Sequence, residues 1–220
     1  MPKKTFLITA GPTVEPIDPV RYISNYSTGE MGYALAKASK NKGHKVILVS
    51  GPTALKPPKG VRFIPVKTAL EMRKAVLRSF NGADCVIMAA AVADFRPAAF
   101  SEKKLKKGTK KEYILRLVRN PDILSELGRV RRRRKGRKII VGYSLETNNH
   151  IENARKKMKL KNMDMVVINP APARRGRIDP FGPGNKDFTL ILRKGTAFTL
   201  KGLSKQKISG ILLDKIDNLW

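Results

Sequence analysis

Short runs of bulky apolar residues alternate along this chain with longer segments of helical periodicity, and that alternation restricts the fold more than any other feature. Strands are expected at Thr5 to Thr9, Lys45 to Ser50, Val61 to Val66, Asp84 to Ala90, Lys138 to Tyr143 and Asp164 to Asn169. Helices are expected at Ser27 to Lys40, Ala69 to Phe80, Pro121 to Arg131, His150 to Lys161 and Lys205 to Leu219. A helix between two strands carries the chain back to its starting edge, so successive strands run parallel. The expected fold class is therefore α/β and Rossmann-like, a largely parallel sheet with helices on both faces. Phe188 to Arg193 and Ala197 to Lys201 flank Lys194 and Gly195, which reads as a hairpin and so as a C-terminal antiparallel addition. At 220 residues the chain is long enough for one well-buried domain, and a single domain over residues 1–220 is expected.

The first strand and the first helix are joined by Gly11 to Tyr26, far longer than the roughly 2 to 6 residues usual in α/β units, which points to a functional loop. Pro12, Pro16 and Pro19 stiffen it, and Ile17, Val20, Tyr22 and Ile23 anchor it. Ser27 to Glu30 and Thr68 to Glu71 have capping-box spacing, and Asn120 before Pro121 reads as an N-cap with proline at the first helical position. Helix N-termini present unpaired N–H groups, so Ser27 to Gly29 and Asn120 to Asp122 are candidate phosphate cradles. Ala89, Ala90 and Ala91 either admit a flat ligand to the backbone or simply let a helix sit close. A parallel sheet gathers these positions, together with Asn25, Asp94 and Tyr143 to Asn149, at the C-terminal ends of its strands, where ligands of such folds bind.

Several readings are disfavoured. Gly11 follows the first strand, but there is no GxGxxG and no carboxylate after the second strand, so a nicotinamide-dependent oxidoreductase is unsupported. Tyr33 and Lys37 match a YxxxK spacing, but they lie on the first helix and the match reads as accidental. Cys85 is the only cysteine and reads as a small buried strand residue, and His44 and His150 are too isolated for a metal cage. No apolar run approaches the roughly 20 residues that span a bilayer, so no membrane association and a cytoplasmic location are expected.

The formal charge of +29, from 46 Lys and Arg against 17 Asp and Glu, points toward polyanionic partners. Two clusters carry much of it: Lys103, Lys104, Lys106, Lys107, Lys110 and Lys111, and then Arg129, Arg131 to Lys135, Arg137 and Lys138. Either can neutralise phosphates, which leaves a basic nucleic-acid-binding protein as the alternative reading. Neither is interleaved with stacking aromatics, and the arginine run reads equally as a solvated helix end.

The motifs ITAGPTVEPIDPVRYISNYSTGEMGYALA, AAAVADFRP, EKKLKK, RNPDIL, and VGYSLETNN with the trailing ARKKMKLKN occur here in one order. In that order they resemble phosphopantothenoylcysteine synthetase, the ligase half of the bacterial coenzyme A biosynthesis flavoprotein, from about Thr5 to Leu213. The flavin-bearing decarboxylase half has no counterpart in this sequence, so a stand-alone synthetase without flavin is expected, with a separate decarboxylase as a possible partner.

The resemblance implies a two-step amide synthesis from 4'-phosphopantothenate, cysteine and CTP, through an acyl-nucleotidylate, with Mg²⁺ accompanying the nucleotide and a homodimer as the working unit. By the same match Asn25 and Lys104 are the catalytic candidates, with Asn25, Ser27, Thr28 and Gly29 near the acyl substrate. The nucleotide is then expected among Gly11, Ala89, Ala90, Ala91, Asp94, Lys104, Asn120, Pro121, Asp122, Ile123, Tyr143, Lys157 and Lys161, with Asp94 as the magnesium contact. Without the family, Lys157 and Lys161 are one turn apart and read equally as a solvated face. Glu30 and Tyr143 depart from the family's usual basic residue and phenylalanine, and Ser144 and Leu145 from its small residues, which bears on nucleotide choice between CTP and ATP.

Overall fold

A computed structural model describes residues 2–108, 111–133, 136–146, 150–170, 184, 186–193, 195 and 197–220. In chain order the first half is β1 (Thr5–Ala10), β2 (Val14–Pro16), β3 (Tyr22–Ser24), α1 (Glu30–Asn41), β4 (Lys45–Ser50), β5 (Arg62–Pro65), α2 (Ala69–Phe80), β6 (Cys85–Met88) and β7 (Phe95–Pro97). The second half is β8 (Leu117–Arg119), α3 (Ile123–Arg132), β9 (Ile139–Glu146), α4 (His150–Leu160), β10 (Met165–Pro170), β11 (Lys186–Leu192), β12 (Ala197–Leu203) and α5 (Lys205–Asp217).

Eight strands form one sheet in the order β12-β11-β10-β9-β6-β1-β4-β5. The six from β10 to β5 pair in parallel, and β11 and β12 add an antiparallel hairpin at one edge. This is the Rossmann-like arrangement that the alternation implied. Strand β1 lies centrally between β4 and β6, with Phe6, Leu7 and Ile8 fully buried, as expected of a strand covered on both faces. One face of the sheet, with Phe6, Ile8, Leu48, Ile87 and Val141, lies under α1 and α5 through Leu35, Ile208 and Leu212. The other, with Leu7, Val86, Ile140 and Val166, lies under α2, α3 and α4 through Met72, Leu127 and Met158. Each such fully buried side chain contributes about 1.5–3 kcal/mol relative to exposure.

Several boundaries differ from the sequence expectation, each for an identifiable reason. Helix α1 begins at Glu30 rather than Ser27, because Gly29 takes a left-handed conformation (φ +81°) as the N-cap and no side chain caps it. The Ser27 to Glu30 capping box is therefore absent. Helix α3 is capped by Asp122, whose Oδ1 accepts from Ser125 N–H at 2.9 Å, and not by Asn120. Asn120 instead donates to the Ala93 carbonyl at 2.9 Å and accepts from Arg96. Thr68 does cap α2, accepting from Glu71 N–H at 3.2 Å. The long first loop contains the β2–β3 ribbon, and β7 pairs with β8, two small sheets that the apolar pattern did not disclose.

Candidate active site

The C-terminal ends of β1, β6 and β9 open onto a cleft with two compartments, of about 320 and 250 Å³, that share Ala90, Val92, Asp94 and Tyr143. Together they fall in the range of small-molecule sites. The first is lined by Ser27 to Gly32, Ala89 to Ala91, Ser144 and Lys157, and the second by Asn120 to Leu124 and Lys161.

Its floor is a tightly held backbone. Thr9 Oγ1 accepts from Ala90 N–H at 3.1 Å, and Thr13 Oγ1 accepts from Ala93 N–H at 3.0 Å. Ala91 donates to the Gly11 carbonyl at 2.9 Å and its own carbonyl accepts from Thr13 N–H at 3.1 Å. The same carbonyl accepts from Asn25 Nδ2 at 2.9 Å, which fixes the exposed Asn25 amide against the floor. One of its N–H bonds is thus committed to Ala91, leaving the amide oxygen and the second N–H for a ligand.

Helix α1 starts directly over the end of β1. A Cβ on Gly32 would lie 2.5 Å from Ala10 Cβ, and one on Gly29 would lie 2.6 Å from Thr53 Cγ2, so glycine at both positions permits the approach. Ser27 and Thr28 hydroxyls reach the Gly29 and Glu30 amides only at 3.4 and 3.5 Å. The first turn therefore presents uncapped amides and the positive end of the helix dipole to the cleft. The α3 start is different. It already carries the Asp122 carboxylate, which Lys161 contacts at 2.9 Å, so Asn120 to Asp122 is not the open phosphate cradle that the sequence suggested. Those two contacts hold the Asp122 carboxyl below its usual range despite its partial burial.

Lys157, on α4, projects into the first compartment and donates to Ser144 Oγ at 3.3 Å. Lys161 lines the second compartment, so the two lysines are divided between the compartments and do not form one solvated face. Tyr143 forms a wall of both, but its hydroxyl is buried, without a hydrogen-bond partner among the described residues, and burial pushes its pKa far up. Met31, Gly32, Asn169, Phe188 and Lys205, none of them singled out in the sequence, also line the first compartment, together with Glu30. Lys205 is 8% exposed and pairs with Glu30, a contact between the starts of α5 and α1 that no local pattern signals.

Lys104 is not brought into either compartment. It is exposed on a loop docked against the β2–β3 turn. There Asp18 Oδ2 accepts from Leu105 N–H at 3.1 Å, Arg21 donates to the Leu105 carbonyl at 2.8 Å, and Ser101 N–H donates to the Ile17 carbonyl at 3.0 Å. Asp18 also accepts from Arg21 and from Val20 N–H, and the guanidinium foremost holds its carboxyl well below the usual carboxylate range. The second basic cluster is divided in role. Arg131 turns inward to Asp164 and the Lys138 and Asn162 carbonyls, whereas Arg132 and Arg133 are exposed and residues 134–135 lie outside the described residues. Residues 147–149, part of the VGYSLETNN motif, also lie outside them.

The sequence profile described as the DNA/pantothenate metabolism flavoprotein C-terminal domain matches residues 1–219. The chain belongs to this family. Over 214 residues it is 44% identical to the coenzyme A biosynthesis bifunctional protein CoaBC of Bacillus subtilis, covering 97% of this chain and 51% of that protein. Over 213 residues it is 40% identical to a cysteine/cysteine sulfinic acid decarboxylase of an unknown prokaryotic organism, covering 95% of this chain and 56% of that protein. The chain thus spans about half the length of these curated relatives. A crystal structure of the C-terminal domain of CoaBC superposes with a TM-score of 0.81 at 37% identity, covering 98% of this chain and 95% of that one. The superposition matches the Rossmann-like sheet with its antiparallel edge.

Proposed function

We propose that this chain is a single-domain phosphopantothenate–cysteine ligase that uses CTP. The observation that carries the reading is the uncapped start of α1 facing the Ala89–Ala91 floor across a cleft into which Lys157 and Asp94 project. A carboxylate does not react with an amine until it acquires a leaving group. A substrate carboxylate oxygen attacks the α-phosphorus of CTP, and the α–β bridging oxygen departs with pyrophosphate. The cysteine amine then attacks the acyl carbon, the acyl–oxygen bond breaks, CMP leaves, and the ammonium proton passes to solvent.

Negative charge accumulates on phosphoryl oxygens in the first step and on the acyl oxygen in the second. Fixed donors already aimed at those positions stabilise both at no reorganisation cost. The α1 amides with Ser27 and Thr28 serve the phosphates, Lys157 adds positive charge, and Asn25 holds the carboxylate and then the acyl group beside Ala91. Gly11 and Ala89 to Ala91 allow the nucleotide to approach, with the nucleoside end in the second compartment among Asn120, Pro121, Asp122, Ile123, Tyr143 and Lys161. Among the described residues no three His, Cys, Asp or Glu side chains gather as a metal cage, which suits Mg²⁺ carried by the triphosphate with Asp94 as its single carboxylate contact. The ion would neutralise phosphate charge there. Lys104, the lysine matched by the family motif, lies outside both compartments, and its part in completing the charge is tested by its removal.

The chain works as a homodimer. Exposed Val20, Tyr22 and Tyr26 beside β2 and β3, and Phe95, Tyr113 and Ile114 around β7 and β8, form apolar surface on the two small sheets next to the site. A flavin-bearing decarboxylase, joined to this domain or separate, would take the product.

Purified protein with 4'-phosphopantothenate, cysteine and CTP is expected to release one pyrophosphate per amide formed, faster with CTP than with ATP. No pyrophosphate with either nucleotide would refute the ligase reading. Lys104→Ala is expected to lower kcat by about 10²-fold or more with the fold intact, the scale for removing one transition-state charge donor. Unchanged turnover would pass the role to Lys157.

A further inference from the structure

A second concavity, of about 820 Å³, lies on the outer side of α1 and is larger than either compartment of the cleft. One wall is α1, with Tyr33, Lys37 and Lys40; the other is the segment after β4, with Leu55, Lys56 and Lys59. Tyr33 and Lys37, whose YxxxK spacing is accidental as an oxidoreductase motif, are four residues apart and share one helix face. Tyr33 is 7% exposed and its hydroxyl lies 3.2 Å from Thr53 Oγ1, so it underlies the groove as part of the core rather than serving as an acid or base. Lys40 reaches across to the other wall. A Cβ on Gly60 would lie 2.8 Å from Lys40 Cε and 3.2 Å from Nζ.

None of the Lys37, Lys40, Lys56 and Lys59 ammonium groups has an ion-pair or hydrogen-bond partner among the described residues. The only acid in the lining is Glu30, and its carboxylate is already paired with Lys205. Four like charges around a concave wall raise the local potential well above that of a flat face, while Tyr33, Leu55 and Pro58 give the floor apolar area. Such a combination recognises an anion chain joined to a flat body.

We propose that this groove is a second binding site, outside the catalytic cleft, for a nucleoside polyphosphate, with the phosphates on the four lysines and the base against the apolar lining at Leu55 and Pro58. It does not depend on the ligase reading. Glu30 borders both the groove and the cleft.

Amine-reactive labelling of the whole protein, read by mass spectrometry at an ionic strength of about 0.15 M, tests it with ATP and with inorganic tripolyphosphate as probes. ATP is expected to slow labelling of Lys37, Lys40, Lys56 and Lys59 several-fold, and tripolyphosphate less. The protection should persist in Lys157→Ala, where the cleft has lost a cation, and disappear in Lys37→Ala/Lys56→Ala. Groove lysines that label at the same rate with and without ATP would overturn the proposal. Equal protection by the two probes would overturn the assigned nucleoside class, and protection lost in Lys157→Ala would assign the ligand to the cleft alone. Pyrophosphate release measured on the same variants separates failure here from failure of the ligase reading.

Discussion

Gly32 shows how little room the site leaves at the scale of one residue. The nearest atoms to an added Cβ are Ala10 Cβ at 2.5 Å and the Thr9 carbonyl oxygen at 2.8 Å, both on the central strand. Gly32→Ala is expected to destabilise the protein by about 1–3 kcal/mol, the scale of core overpacking, and to weaken CTP binding by lifting the α1 start from the floor. Denaturant midpoints and nucleotide titrations check both, and wild-type values in each would mean the close approach is dispensable. Tyr143 predicts the opposite sign. Its hydroxyl is buried without a partner among the described residues, so Tyr143→Phe should raise the thermal midpoint, by up to about 1–3 kcal/mol of stability, while leaving the wall in place. A lowered midpoint would mean that the hydroxyl has a use. The sequence motif marked Asn25 and Ala89 to Ala91, and the structure joins them through one hydrogen bond. Gly32 lies within that motif without standing out and Lys205 lies outside every motif, because a close approach and a long-range ion pair leave no trace in spacing.

At the scale of elements, long and strongly periodic segments were legible and short ones were not. Strands such as β1 and β4 are buried on both faces and read as apolar runs, whereas β2, β3, β7 and β8 have three residues each, too few to show a period. Capping spacing misled at α1, because Ser27 and Glu30 have the right separation but the left-handed Gly29 between them takes the cap. At α3 the proline suggested Asn120, but the aspartate nearer the helix holds the first turn. The Lys104 loop is set by a contact between two loops, Asp18 with Arg21 and Leu105, that local sequence cannot express. Asp18→Asn removes the charge that holds this anchor and is expected to lower kcat/KM in the same direction as Lys104→Ala. Steady-state rates set beside the circular dichroism spectrum check it, and wild-type rates would make the anchor irrelevant to catalysis. Because the Asp18 carboxyl titrates below its usual range, the anchor should persist on acidification past the pH at which an ordinary aspartate protonates.

Across the whole molecule, the two faces of the sheet have different closures. The α1–α5 face is fastened at the bottom, where Lys42 pairs with Asp214 and Asp217 at 2.6 and 2.7 Å. His44 lies buried beside that cluster, against the Phe6 ring, with Nδ1 accepting from Lys4 N–H at 3.3 Å. Burial lowers the His44 pKa, outweighing the opposing pull of Asp217. The unfolded chain therefore binds a proton near pH 6.5 that the folded chain resists. This stability is complete above that pH and is lost as pH falls toward the folded value. Thermal midpoints are expected to drop from pH 7 to 5, with a shallower slope in His44→Gln; equal slopes would remove His44 as the cause. The formal charge of +29 was legible from composition alone, but its placement was not, since Arg131 is internal and the four groove lysines lie apart from both basic runs.

In the proposed reaction the cleft joins the substrate carboxylate to the α-phosphorus of the nucleotide. Turnover of 4'-phosphopantothenate labelled with ¹⁸O in its carboxylate, followed by ³¹P resonance, tests this directly. One labelled oxygen is expected in CMP and none in pyrophosphate. Label in inorganic phosphate with release of CDP, or no transfer to phosphorus during amide formation, would contradict it.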